Sequence, residues 1–129
     1  MVKDKNKFVI LCHGAFNYVK NKTGNMLIRY RTDEVVGIID NTKVGETAQS
    51  ELGYGGDIPV VESFDSCLSR NPDTLVIGSA SQGGFISDEF RGEIIKAIEF
   101  ECNIINGMHH LLNDDEEIRE LAVKNNVIL

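Results

Sequence analysis

The run Leu75-Val76-Ile77, followed at once by Gly78-Ser79-Ala80-Ser81-Gln82-Gly83-Gly84 and then by an amphipathic helix pattern, constrains this chain more than any other feature. A short continuous apolar run before a glycine-rich break reads as a strand covered on both faces. Strands that open through such loops into helices are the units of parallel α/β sheets, whose ligands sit in the crevice at the carboxyl ends of the strands. The alternation recurs along the chain. Phe8–Cys12, Val35–Ile39, Ile58–Val61 and Ile104-Ile105 read as further strands, and Val127–Leu129 as a sixth, cut short. Pro59 assigns its strand to a sheet edge, where a missing N–H is tolerated.

Helical spacing fills the intervals. A helix begins near Lys20–Thr23 and is expected to carry Met26, Leu27 and Tyr30 inward, and a short one lies at Glu46–Leu52. Ser63 reads as the cap of a short helix through Leu68, stopped before Pro72. Ser87 reads as the cap of a helix whose buried face is Phe90, Ile94, Ala97 and Ile98. Asp114 and Glu117 form an expected capping box for a last helix that turns Ile118, Leu121 and Ala122 inward. The expected fold is therefore α/β: a Rossmann-like three-layer sandwich with a mostly parallel sheet of about six strands, residues 1–129 forming a single domain. The apolar run at Val127–Leu129 adds the expectation that this is the N-terminal part of a longer protein.

A net charge of −7 argues against nucleic acid or an anionic membrane as partner, since both need a basic face. The apolar runs are far shorter than the roughly 20 residues that span a bilayer. Cys12, Cys67 and Cys102 are widely spaced and form no CxxC pair, which suits a reduced, cytoplasmic setting. Met1–Lys7 is charged and lacks the apolar core of a signal peptide.

Candidate chemistry lies at the strand ends. His13-Gly14 follows the first strand, and Lys22-Thr23 stands near the start of the next helix, where free N–H groups and a lysine suit a phosphate. Neither G-x-G-x-x-G nor the P-loop pattern is present, so Gly14, Lys22 and Thr23 are equally readable as a tight turn and a surface lysine. Asp40, at the end of the second strand, either bonds a ribose or forms a turn. Ser79 and Gln82 offer side-chain hydrogen bonds, and Gly83-Gly84 lets backbone N–H groups face a ligand. Ser79-Ala80-Ser81-Gln82-Gly83 lacks the first glycine of a nucleophile elbow. His109 and His110 follow the fifth strand. No carboxylate or CxxC completes a metal set, so no metal site is expected; His109 reads as a pocket residue or as a packed histidine.

Gly78–Gly84, Phe90-Arg91, Ile94–Ala97, Gly107-Met108-His109 and Leu111-Leu112-Asn113-Asp114-Asp115, together with His13-Gly14, Lys22-Thr23, Arg29-Tyr30 and Val36–Asp40, form an ordered pattern over nearly the whole chain. The pattern resembles the N-terminal Rossmann-like domain of a two-domain family that pairs it with a C-terminal P-loop domain. Some members carry the label NAD-dependent epimerase/dehydratase, and others are described as D-glutamate N-acetyltransferases. The family usually has an acid after the histidine of Gly-x-His, where this chain has His110. Ile58–Val61 through Leu75–Ile77 is also similar to CoA-binding Rossmann domains. The resemblance implies a nucleotide- or CoA-type ligand, with acetyl-CoA as an expected cofactor, in an acyltransferase-like protein acting on an acidic amino acid. In that reading Gly14, Lys22 and Thr23 meet phosphate, and Asp40 meets ribose or orders a loop. Ser79, Gln82, Gly83 and Gly84 line the pocket, His109 accepts a proton from the amine, and Arg29 and His110 contact the substrate. A P-loop domain or separate P-loop protein is the expected partner, and a homo-oligomer the expected assembly. Two rivals stand beside it: an NAD(P)-dependent oxidoreductase or epimerase, and a non-catalytic domain that dimerises and positions a P-loop partner.

Overall fold

Four consecutive apolar residues, Phe8-Val9-Ile10-Leu11, form β1 (Phe8–Leu11), and all four are buried. The computed structural model describes residues 6–13, 16, 22–77, 88–106 and 115–128, the side chains of Lys22, Thr23 and Asn106 excepted. The elements in chain order are β1, α1 (Lys22–Tyr30), β2 (Val35–Ile39), α2 (Ala48–Leu52), β3 (Val60–Val61), β4 (Thr74–Ile77), α3 (Asp88–Glu99), β5 (Asn103–Asn106) and α4 (Glu116–Lys124), with 3-10 turns at Thr32–Glu34 and Phe64–Arg70. The sheet has five parallel strands in the order β3-β2-β1-β4-β5. From β1 the chain steps outward twice to one side and then returns to step outward on the other, which is the doubly wound Rossmann order.

Alternation along the strands builds two cores. Val9, Leu11, Ile39, Leu75, Ile77 and Ile104 pack with the buried residues of α3, α4 and the Phe64–Arg70 turn. Phe8, Ile10, Val35, Ile38, Val60 and Val76 face Ile28 of α1 and Ala48 and Leu52 of α2. The two faces are kept apart by the period of two that every strand imposes. β2 departs from it once. Phe8 stands opposite Val35 and Val9 opposite Gly37, so Val36 is an extra residue. The irregularity brings Gly37 against Cys67, whose Sγ lies 2.9 Å from where a Cβ would stand.

The expected sandwich is present, with five strands among the described residues where about six were expected. Val127-Ile128 forms no strand; the segment lies on the outer edge of β5 through one ladder-like bond, Ile104 N–H to the Ile128 carbonyl at 2.9 Å. Asn103 Oδ1 takes the Ile128 N–H, so a side chain substitutes for the second backbone partner. β3 is an edge strand, as Pro59 required, but is confined to Val60–Val61. The segment expected as a short helix from Ser63 is a 3-10 turn, and Ser63 makes no side-chain capping bond; the Ser66 N–H goes to the Ser63 carbonyl and the Glu93 carboxylate takes the Phe64 N–H.

The inward face of α1 differs from expectation. Met26 and Tyr30 are 61% and 74% exposed, while Gly24, Asn25 and Ile28 are buried and Leu27 is half-buried. Residues 24, 25 and 28 have the same spacing as 26, 27 and 30, so periodicity could not choose between the stripes. Packing chose the small one. Ile28 meets Gly55, where an added Cβ would lie 2.6 Å from Ile28 Cγ2 and 2.7 Å from Ala48 Cβ.

α3 buries Phe90, Ile94, Ala97 and Ile98 as the spacing requires, and α4 buries Ile118 and Ala122. The cap of α4 is Asp115, which accepts the Ile118 N–H at 3.1 Å; Asp114 lies outside the described residues, as does Ser87. Arg91 clasps the same carboxylate through Nε and Nη2, both at 3.1 Å, and so fastens α4 to the first turn of α3. That bidentate bond holds the Asp115 carboxyl below the usual aspartate range.

Two stability measurements test this packing. Gly55→Ala, at φ +98° and against two core atoms, is expected to lose roughly 1–3 kcal/mol or more in urea unfolding. A carboxyl whose folded pKa is depressed contributes stability that is present above its unfolded pKa and lost as pH falls through the folded one. The urea midpoints of wild type and Asp115→Asn should therefore differ at about pH 6 and converge as pH falls towards about 3.

Candidate functional site

Parallel strands end together, so the residues after β1, β2 and β3 and the first turns of α3 and α4 share one edge of the sheet. The strand order reverses direction between β1 and β4, and such a reversal is where open α/β sheets hold their ligands. His13 is the second residue past β1. Asp40 and Asn41 immediately follow β2, and Glu89 and Phe90 lie in the first turn of α3.

Asp40 is fully buried, yet it belongs to the chain and not to a cavity. Its Oδ2 accepts the Phe16 N–H at 3.1 Å, and its Oδ1 accepts the Thr42 N–H at 2.9 Å and the Thr42 hydroxyl at 2.6 Å. Phe16, fully buried in the α1–α2 core, pins the far end of the loop that Asp40 holds. The near end is fixed by the Cys12 N–H, which donates to the Ile39 carbonyl at 3.0 Å and extends the β1–β2 ladder by one residue. Of the two sequence readings of Asp40, the bonds present are those of a loop-ordering turn.

His13 stands between these anchors. Its Nδ1 accepts the Asn41 N–H at 3.0 Å. The ring meets Phe90 edge to face, with centroids 6.0 Å apart and planes at 75°. Asn41 Nδ2–H donates in turn to Glu89 Oε1. A connected chain thus runs from β1 through the β2 turn to α3. One turn further along α3, Glu93 is buried and its Oε2 accepts the Phe64 N–H, tying the connection after β3 to the same helix.

The three thiols are inert by environment. Burial, and then the negative charge of Asp40, push the Cys12 thiol far above its ordinary range, with Lys43 only partly opposing them. Burial pushes Cys67 up to about 11 and Cys102 up to about 12. Each is a neutral thiol near neutral pH and a poor nucleophile or ligand. Among the described residues no three His, Cys, Asp or Glu side chains converge as a metal site.

The candidate residues read from sequence are distributed unevenly. Gly14, Ser79, Gln82, Gly83, Gly84, His109 and His110 lie outside the described residues. Lys22 and Thr23 open α1, so their backbone stands at the strand-end edge. Arg29 is in the last turn of α1, which leads to the start of β2 and so to the opposite edge. There its guanidinium lies 5.9 Å from the Tyr30 ring centroid and 5.7 Å from that of Tyr54. The structure does not bring Arg29 to Asp40 and His13. Sequence reasoning placed His13 at a strand end but gave its ring no partner, and passed over Asn41 and Glu89 as contributors. The strand-end position of His13 was a usable signal, whereas nothing local marks Glu89 as its neighbour across 76 positions of sequence.

Comparison with known proteins agrees with the Rossmann-like fold. A family described as a domain of unknown function, DUF1611_N, a Rossmann-like domain, matches residues 41–129. A D-glutamate N-acetyltransferase of Tritonibacter scottomollicae is 31% identical over 94 residues, covering 72% of this chain and 25% of that protein. The crystal structure of a DUF1611 family protein from Anabaena variabilis superposes with a TM-score of 0.81 at 29% identity, over 91% of this chain and 34% of that one. The chain thus spans about a quarter to a third of the length of these relatives. Among the described residues no helix is long and apolar enough to cross a membrane.

The anchoring role of Asp40 has a direct test. Asp40→Ala strands the Phe16 and Thr42 N–H groups, and should cost about 1–3 kcal/mol in urea unfolding. Backbone amide exchange should speed up selectively at Phe16 and Thr42.

Proposed function

This chain belongs to the DUF1611_N Rossmann-like family, and on that premise we propose that it binds a nucleotide- or CoA-type ligand at the carboxyl edge of β1, β2 and β4. It does so as one domain of a cytoplasmic, acyltransferase-like protein that acts on an acidic amino acid together with a P-loop domain. The observation that carries this reading is the reversal of strand order between β1 and β4, with the connections after β1 and β2 tied down around it. A relative named D-glutamate N-acetyltransferase supports the acyl-transfer class and the acidic substrate.

In this proposal Gly14, Lys22 and Thr23 meet phosphate at the start of α1, where unpaired N–H groups and the helix dipole favour an anion. Ser79, Gln82, Gly83 and Gly84, which follow β4 in the sequence, line the other side, and His109 accepts the proton of the acceptor amine. Lys22 balances a substrate carboxylate, and His110 contributes a further polar contact. Arg29 is left to its stacking on Tyr54. The nicotinamide alternative would ask Asp40 to grip a ribose, but its carboxylate is turned into the Phe16 and Thr42 bonds.

Calorimetric titration with acetyl-CoA, CoA, NAD and ATP tests the ligand class. Acetyl-CoA should bind, and Lys22→Ala should weaken it several-fold. Absence of binding by every one of these ligands at millimolar concentration would refute the reading.

A further inference from the structure

We propose that His13 is a fixed hydrogen-bond donor, through Nε2–H, to a neutral carbonyl oxygen of the ligand held in the β1–β4 crevice. The proposal rests on the ligand reading above and deepens it at one atom. A neutral imidazole carries one N–H, and the nitrogen that accepts a hydrogen bond cannot be the one that bears the proton. His13 Nδ1 accepts the Asn41 backbone N–H, so the proton sits on Nε2. The edge-to-face contact with Phe90 resists rotation of the ring, and the Asn41 link to Glu89 holds the acceptor side in place. At 8% exposure the residue is nearly covered, and it stands two residues past β1, the strand at which the order reverses towards β4.

Charge decides what such a donor can receive. The hydrogen-bonded chain that orients His13 ends on the Glu89 carboxylate, at the same end of α3 as Asp88. A phosphate or carboxylate oxygen brought to Nε2–H would meet that negative field, whereas the oxygen of an acyl or carboxamide group would not. The chemistry that fits is a carbonyl. An acetyl thioester supplies one, and the carboxamide of a nicotinamide supplies the other.

Nitrogen-15 histidine spectra and paired titrations test this on the intact chain. The spectra of the unliganded protein should show His13 as the Nε2–H tautomer. His13→Phe should weaken acetyl-CoA by roughly three- to tenfold, the worth of one ordinary hydrogen bond, and leave CoA, which lacks the acetyl carbonyl, unchanged. His13→Gln, which keeps a donor near the Nε2 position, should recover most of the difference. A loss confined to NAD relative to ADP-ribose would equally support the donor and identify the carboxamide as its target. An Nδ1–H tautomer would overturn the proposal, as would equal losses, or none, for both members of each pair; the ligand reading would survive either result. Failure of all four ligands to bind would refute the ligand reading and this proposal together.

Discussion

β1 has to be apolar on both sides at once, and the rest of the fold is arranged to satisfy that. It is the middle strand, bonded to β2 on one side and β4 on the other, and all of its side chains are buried. Phe8 and Ile10 supply the α1–α2 core, and Val9 and Leu11 the α3–α4 core. A slip of one residue would exchange these sets, so the register is fixed by the difference between the two layers. Two-sided burial also explains why polar chemistry appears only after Leu11. The chain can present a hydrogen-bonding side chain only where the sheet stops, and His13 is the first to do so.

The edge where the strands stop is braced at separate points. Asp40 ties the loop after β1 to the turn after β2. Glu93 ties the connection after β3 to α3, and Arg91 ties the start of α4 to the start of α3. Each brace is a carboxylate bound to N–H groups, the strongest ordinary kind of protein hydrogen bond. Arg91 and Asp115 are both members of the ordered pattern that carries the family resemblance, and the structure makes them partners of each other. Part of what looked like a site pattern is therefore the frame of the site.

The fold was legible in the sequence because apolar runs and helical spacing report burial, and burial dominates in a two-sided sheet. The inward face of α1 was not legible, because two stripes of equal spacing competed. Bulk favoured Met26 and Tyr30, whereas close approach favoured Ile28. Close approach depends on Gly55, far along the chain. The caps show the same limit: Ser63 had the right chemistry, but the segment winds as a 3-10 turn in which the Ser66 N–H goes to the Ser63 carbonyl. At the candidate site, Asp40 was legible by position but ambiguous in role until Phe16 and Thr42 were seen to occupy it. The His13–Asn41–Glu89 chain joins three segments through space and leaves no periodic trace.

The two borders of the sheet also bear on how the molecule behaves in a crowd. One border is β3, only Val60–Val61, preceded by a proline that offers no N–H. Along the other, Ile128 and the Asn103 amide already occupy part of β5. A foreign strand arriving at either border finds few consecutive open groups to pair with. A parallel sheet this apolar is at risk of strand addition and fibril growth while it folds. Its short and partly occupied margins limit that risk.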